Sequence, residues 1–272
     1  MSVTCYTIYM SAESLPKAPA VLDILPDAPV SDVTTLPEVM QQVADRLHSA
    51  GLSHVVPGLL GYKAVTEEVL DGTYNDVFKY PEKMQATMPV FADLLFQSVR
   101  QYAEGNHDTV GPWKPLFDIE NSADILPSTA MYDFMQIHIR CDLYKALRLT
   151  DTEPKHKEDY DEKINMILSE VGHRILYDYI ELHPAIKRIK VPEVAMKFIL
   201  NEIYRARDEA WAAFEMVQEG VATTDEMDEI LSERAEKRML STHKLAGHVL
   251  RQTTRLPDGF KLRPASGLVV PE

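Results

Sequence analysis

The chain has 272 residues, with 28 basic side chains against 42 acidic ones and a formal balance of −14. A chain this long buries about 75% of its unfolded surface on folding, so it needs neither disulfides nor a metal to hold a core. The acidic balance argues against nucleic acid or an anionic membrane as partner, because both require a cationic surface.

Met1–Met10 has no basic start and no long apolar core, so no signal peptide is expected. No stretch approaches the ~20 apolar residues of a membrane span. The two cysteines, Cys5 and Cys141, lie far apart and outside any Cys-x-x-Cys pattern. That usage fits a reduced cytoplasm. Residues 1–37 read as an extended arm, since Pro16, Pro19, Pro26, Pro29 and Pro37 forbid a long helix.

Residues 38–255 then carry a helical period. Pro37 to His48 opens with proline in a first turn and sets Val39, Val43 and Leu47 on one stripe. Leu59 to Leu70 follows. A third helix lies within 82–104, with Pro89 as a kink or as its true first turn. A proline-rich loop from Gly111 to Phe117 runs on towards Pro127, and Ser128 or Thr129 caps the next helix. Lys155–Leu182 and Glu193–Gln218 come next, the latter closed by Gly220. Thr224 starts a last helix running to about Thr254, with acidic residues in its first turn. Residues 256–272 read as an irregular tail. The expectation is one all-α, bundle-like domain of seven to nine helices, without strands.

The helix around Met131–Leu143 is apolar yet carries Asp133, His138, Arg140 and Asp142. Buried helices rarely hold so many ionisable groups without a reason. On a helical wheel Met131, Met135, His138 and Asp142 fall within about 60° of one another, and Asp133, Gln136, Arg140 and Tyr144 within about 80° on the other side. Two polar-bearing faces predict a central helix touched from both sides. His138 and Asp142, at i and i+4, are neighbours. A carboxylate there can fix the imidazole tautomer and raise its basicity, as a general base requires. The same pair could supply two metal ligands, or form a structural hydrogen bond only. Asp133 and Arg140 are two turns apart and suit an ion pair.

Other chemistries find less support. His-Glu-x-x-His is absent, and no Glu-x-x-His pair appears on two helices. His156 with Asp159 sits in a charged first turn, His243 and His248 form a poor chelate, and His183 precedes Pro184 in a turn. No metal ligand set is expected. Cys141 reads as packing rather than as a nucleophile. Gly58-Leu-Leu-Gly61 lacks the lysine and the preceding strand of a phosphate loop, so no nucleotide cofactor is expected. Aromatic and methionine side chains gather by segment around the His138 helix. They read as core, or as the wall of an apolar pocket with few polar groups at its floor. Tyr62, Asp93, Phe96, Trp113, Met135 and Tyr144 are the candidate substrate-binding residues, with Trp113 lining or covering the pocket.

The order Tyr62-Lys-Ala-Val-Thr-Glu67, Phe91-Ala-Asp-Leu-Leu-Phe96, Trp113-Lys-Pro-Leu-Phe117, His138-Ile-Arg-Cys-Asp-Leu143, Asp159-Tyr with Asn165, and Arg207-Asp-Glu-Ala-Trp211 resembles an uncharacterised all-helical family. That family is common in actinobacteria and catalogued as a domain of unknown function. The resemblance covers roughly residues 40–215. His138 and Asp142 fall on the family's His and Asp. This chain departs from the family's pattern at Gln136 and Asp93, where asparagine is usual, and at Arg140, changing the charge around the histidine. The resemblance implies relatives in natural-product pathways, including polyketide cyclisation.

The resulting expectation is a cofactor-independent acid–base enzyme of cyclase, dehydratase or isomerase type. It would act on a large apolar small molecule with His138, Asp142, Asp133 and Arg140 as catalytic groups. A non-catalytic helical binding or scaffold protein is the alternative, and a metal-dependent hydrolase or oxygenase the second. A homodimer is admissible but nothing demands it.

Overall fold

A computed structural model describes residues 22–23, 25–119, 127–182 and 192–249. Most of the arm and the whole 256–272 tail lie outside these residues, as do His183 and the side chains of His243 and His248. Among the described residues the structure is all helix. Eight α-helices of seven residues or more occur, together with one four-residue turn. In chain order they are α1 (Leu36–Ser49), α2 (Val56–Tyr74), α3 (Pro81–Ala103), the short α4 (Lys114–Phe117), α5 (Pro127–Ile137), α6 (Leu143–Leu149), α7 (Ile164–Leu182), α8 (Pro192–Gln218) and α9 (Thr224–Val249). Among the described residues no helix is long and apolar enough to cross a membrane.

The described end of the arm packs on the domain. Leu25 is buried, and Arg100 Nη2 on α3 donates to the carbonyls of Leu25 and Pro26 at 3.0 and 2.8 Å. Asp32 then caps a single 3₁₀ turn, Val33–Thr35, that leads into α1. The inward stripe of α1 is Leu36, Met40, Val43 and Leu47, so Val39 stands beside the expected stripe rather than on it. Helix α2 extends beyond the expected Leu59–Leu70 at both ends. Helix α3 begins at Pro81 and continues through Pro89, so Pro89 is not its first turn.

The expected proline-rich loop is also helical. Gly111–Trp113 is a 3₁₀ turn that runs into α4, and Trp113, Leu116 and Phe117 are buried. Pro112 and Pro115 each occupy a first-turn position, where no backbone N–H is needed. Helix α5 starts at Pro127, which places Ser128 and Thr129 inside the first turn instead of ahead of it. Gly220, at φ +71°, closes α8 as expected, with its N–H donating to the Val217 carbonyl.

Helices α5 and α6 are one rod joined through a π-helical turn, His138–Asp142. The rod packs against α2, α3, α8 and α9, so its two polar-bearing faces both meet protein. Its close approach to α2 depends on Gly58. A Cβ there would fall 2.2–2.6 Å from the side chain of Phe134. A second π turn, Asp159–Lys163, leads into α7. The Asp159 carboxylate accepts from the backbone N–H groups of Lys79 and Tyr80 at 3.0 and 2.8 Å, which fixes the chain just ahead of α3.

Candidate functional site

The His138 imidazole is 2% exposed and enclosed by aromatic rings. Phe91 stacks on it, with centroids 3.8 Å apart and planes 3° from parallel. Tyr62 and Phe134 meet it edge-on at 4.5 and 5.6 Å. The π turn places Nδ1 2.9 Å from Asp142 Oδ2. Trp113 Nε1 reaches the same oxygen at 3.1 Å.

An indole nitrogen can only donate. Asp142 Oδ2 therefore accepts from Trp113, and a carboxylate there accepts the Nδ1–H of His138 as well. This assigns the proton to Nδ1 and leaves a lone pair on Nε2. That atom is buried and has no hydrogen-bond partner among the described residues. Burial holds the imidazole below its ordinary value of 6.5, while the hydrogen bond and charge of Asp142 push the other way. The ring is thus a neutral base at pH 7, fixed in one tautomer.

His138 borders an apolar cavity of about 100 Å³ between α2, α3, the central rod, α7 and α8. Met84, Met88 and Met135 form much of its flexible wall, with Leu168 on one side. Tyr160, from the second π turn, and Arg207, from α8, also border it. The Tyr160 hydroxyl donates to Thr87 Oγ1 at 3.0 Å, and burial pushes its phenol up to about 12. Arg207 is 3% exposed and donates through Nη1 to Asn165 Oδ1.

Of the expected site residues, the structure brings His138, Asp142, Tyr62 and Met135 to this place. Trp113 does so at one remove, through Asp142, and also borders a separate polar cleft of about 390 Å³ together with Asp142, Lys145 and Asp228. The others lie elsewhere. Arg140 turns to α8, where its Nε donates to Glu209 Oε2 at 2.8 Å and its Nη1 donates to Gln136. Its ion pair is therefore with Glu209 and not with Asp133, which is buried away from the cavity wall.

Tyr144 donates to Asp228 on α9. Phe96 is core, and Phe91, five residues earlier in the same helix, is the ring that reaches the imidazole. Asp93 accepts from Gln97 on its own helix and does not border the cavity. Burial raises the Cys141 thiol well above its ordinary value, which removes it as a nucleophile at neutral pH.

Arg207, Tyr160 and Asn165 were missed as site residues, although all three stand in the blocks that carry the family resemblance. His156 accepts the Glu153 N–H at 2.9 Å and Asp159 holds the backbone ahead of α3, so both serve local structure. Among the described residues no group of three or more His, Cys, Asp or Glu side chains has a geometry that could hold a metal ion.

A family model described as "Family of unknown function (DUF5995)" matches residues 33–252. The chain belongs to this family. No curated protein and no solved structure matches it. The match spans the helical domain from the first 3₁₀ turn through α9, including both π turns.

Proposed function

We propose that the protein is a cofactor-independent acid–base enzyme in which His138 Nε2 removes a carbon-bound proton from an apolar guest in the cavity. The single observation that carries this reading is the buried, unpartnered Nε2 of a ring whose other nitrogen is held by a carboxylate. A structural histidine normally has both nitrogens satisfied. Here the nitrogen is unpartnered on a residue that borders an apolar cavity, where a base reacts without competition from water.

Proton transfer to Nε2 creates an imidazolium, which the Asp142 carboxylate stabilises across the 2.9 Å contact. Return of the proton to another carbon completes an isomerisation. Its delivery to a departing hydroxyl, with release of water, completes a dehydration. Stacking on Phe91 and the Trp113 hydrogen bond to Asp142 keep the ring and its partner in place throughout.

At about 100 Å³ the cavity is smaller than the roughly 150 Å³ that holds benzene, so a ring-sized guest needs a small shift of its flexible wall. A polyketide-sized substrate of the kind handled by natural-product cyclases requires the wall to open. The methionines at 84, 88 and 135 are the side chains best suited to repacking. The test is hydrogen–deuterium exchange at the α-carbons of cyclopentanone in deuterated water, followed by NMR. The protein is expected to accelerate exchange, and His138→Ala to abolish the acceleration while the protein stays folded. Equal exchange with both proteins would remove His138 as the base.

A further inference from the structure

Arg207 is a buried cation that its surroundings leave without a close counter-charge. Among the described residues no carboxylate lies within 4.0 Å of its guanidinium, whereas Arg140 has Glu209 at 2.8 Å. Nη1 is spent on the neutral amide oxygen of Asn165, and Nη2 is buried without a partner. Arg140 also leaves Nη2 unpartnered, but its charge is neutralised and it does not border the cavity.

Burial lowers Arg207 to about 10, opposed by the more distant carboxylates of Asp161 and Asp208, so it stays charged at neutral pH. An uncompensated buried charge costs several kcal/mol. Folds retain such a group where a ligand supplies the missing anion, and a guanidinium fork suits a carboxylate in particular. Among the described residues, the only other charged or titratable neighbours on this cavity are His138, which is neutral, and the phenols Tyr62 and Tyr160, whose protons burial retains.

We propose that the cavity takes a small apolar carboxylic acid, with its carboxylate received by Arg207 and its hydrocarbon part lying along Met84, Met88 and Leu168. This rests on the reading of the cavity as the substrate site, and it names the substrate class. The acid group is an anchor at the Arg207 end, and the reacting carbon lies towards His138 Nε2. A full negative charge is specified because a neutral carbonyl would leave the guanidinium uncompensated.

The experiment uses butyrate and its neutral amide, butyramide, titrated calorimetrically into the full chain. Butyrate is expected to bind at least about tenfold more tightly, as charge-assisted pairing implies. Arg207→Met, which keeps bulk and removes charge, is expected to abolish that preference. A parallel measurement needs no variant: in protein with isotope-labelled methionine methyl groups, butyrate should shift the Met84, Met88 and Met135 signals and leave Met40 and Met227 unmoved. Equal affinity for acid and amide, a preference that survives in Arg207→Met, or methyl shifts away from the cavity would each overturn the assignment. Cyclopentanone carries no acid, so its exchange tests the base alone. Butyrate binding without cyclopentanone exchange would sink the base and leave the anchor, and the reverse result would sink the anchor and leave the base.

Discussion

The two flanks of the central rod hold their buried ionisable groups in different surroundings. On the Arg140 flank a fully buried guanidinium is met by a carboxylate from α8 and an amide one turn earlier on its own rod. On the His138 flank the carboxylate serves only one nitrogen of the ring, and the other is buried without a partner on a residue that borders the apolar cavity. The first pattern holds helices together. The second leaves a nitrogen unpaired on a residue that borders a cavity, the arrangement the proposed acid–base role draws on. Among the described residues Arg140 Nη2 and Gln136 Nε2 are also without partners, so the counter-charge and the cavity are what separate the two flanks.

Four measurements sharpen or break that contrast. The largest expected effect is His138→Ala, which should lower the enzymatic exchange rate by roughly 10²–10⁴, the usual worth of a positioned general base. Its stability should change far less. A protein that unfolds on this change would put both flanks in the structural class.

Asp142→Asn comes next. The Trp113 N–H holds the amide oxygen at the place of Oδ2, so the Nδ1–H of His138 keeps its acceptor and the tautomer is retained, while the imidazolium loses its counter-charge. Exchange should fall by about 10² or more, and nitrogen NMR of the ring should show the proton still on Nδ1. Unchanged exchange in this variant would deny the carboxylate its role.

On the opposite flank, Arg140→Met should destabilise the fold by about 2–3 kcal/mol. That is less than the ~3–5 kcal/mol for a fully buried pair, because Glu209 keeps some exposure. Arg207→Met removes a charge with no carboxylate partner within 4.0 Å and should stay within about 1 kcal/mol of the parent, or gain stability. Denaturant titration of both proteins reads the difference directly, and equal losses would contradict the distinction drawn between the two arginines.

Acid gives the fourth measurement. His138 is held below its ordinary value and His54 is lowered to about 4, chiefly by burial. The unfolded chain therefore binds more protons than the folded one as pH falls below about 6.5. This stability is fully present above that pH and is lost as pH falls towards about 4. The His54 share reaches about 3 kcal/mol at most, and His54→Gln should flatten that part of the slope. Exchange activity should persist below pH 6.5, since the free base survives to lower pH than an exposed imidazole. An activity that halves at or above pH 6.5 would contradict the burial argument.

Much of the architecture was legible because amphipathic period and proline position are local signals. The spans of α3 and α8, the start of α9 and the glycine stop at Gly220 follow from them, as does the adjacency of His138 and Asp142. The helix at Trp113 was misread because prolines were taken as breakers, when Pro112 and Pro115 sit where a helix tolerates them.

The widening of the helix at His138–Asp142 and Asp159–Lys163 leaves no periodic trace, since it inserts only one residue into an otherwise α-helical run. Arg207 was passed over because a single arginine within a long helix carries no local sign of burial. Its missing counter-charge is a fact about three other helices. Phe96 was preferred to Phe91 for a similar reason: both sit in one block, and only packing decides which ring meets the imidazole.

Gly58 carries no functional group, yet it sets how near two backbones can come. Phe134 occupies the space its side chain would need, and Phe134 backs the imidazole edge-on. Adding one methyl group at Gly58 is therefore a mechanical perturbation. It displaces a wall of the cavity while leaving every acid and base in the molecule chemically intact. A loss of turnover there, set against preserved titration behaviour, would measure how much of the chemistry resides in spacing alone.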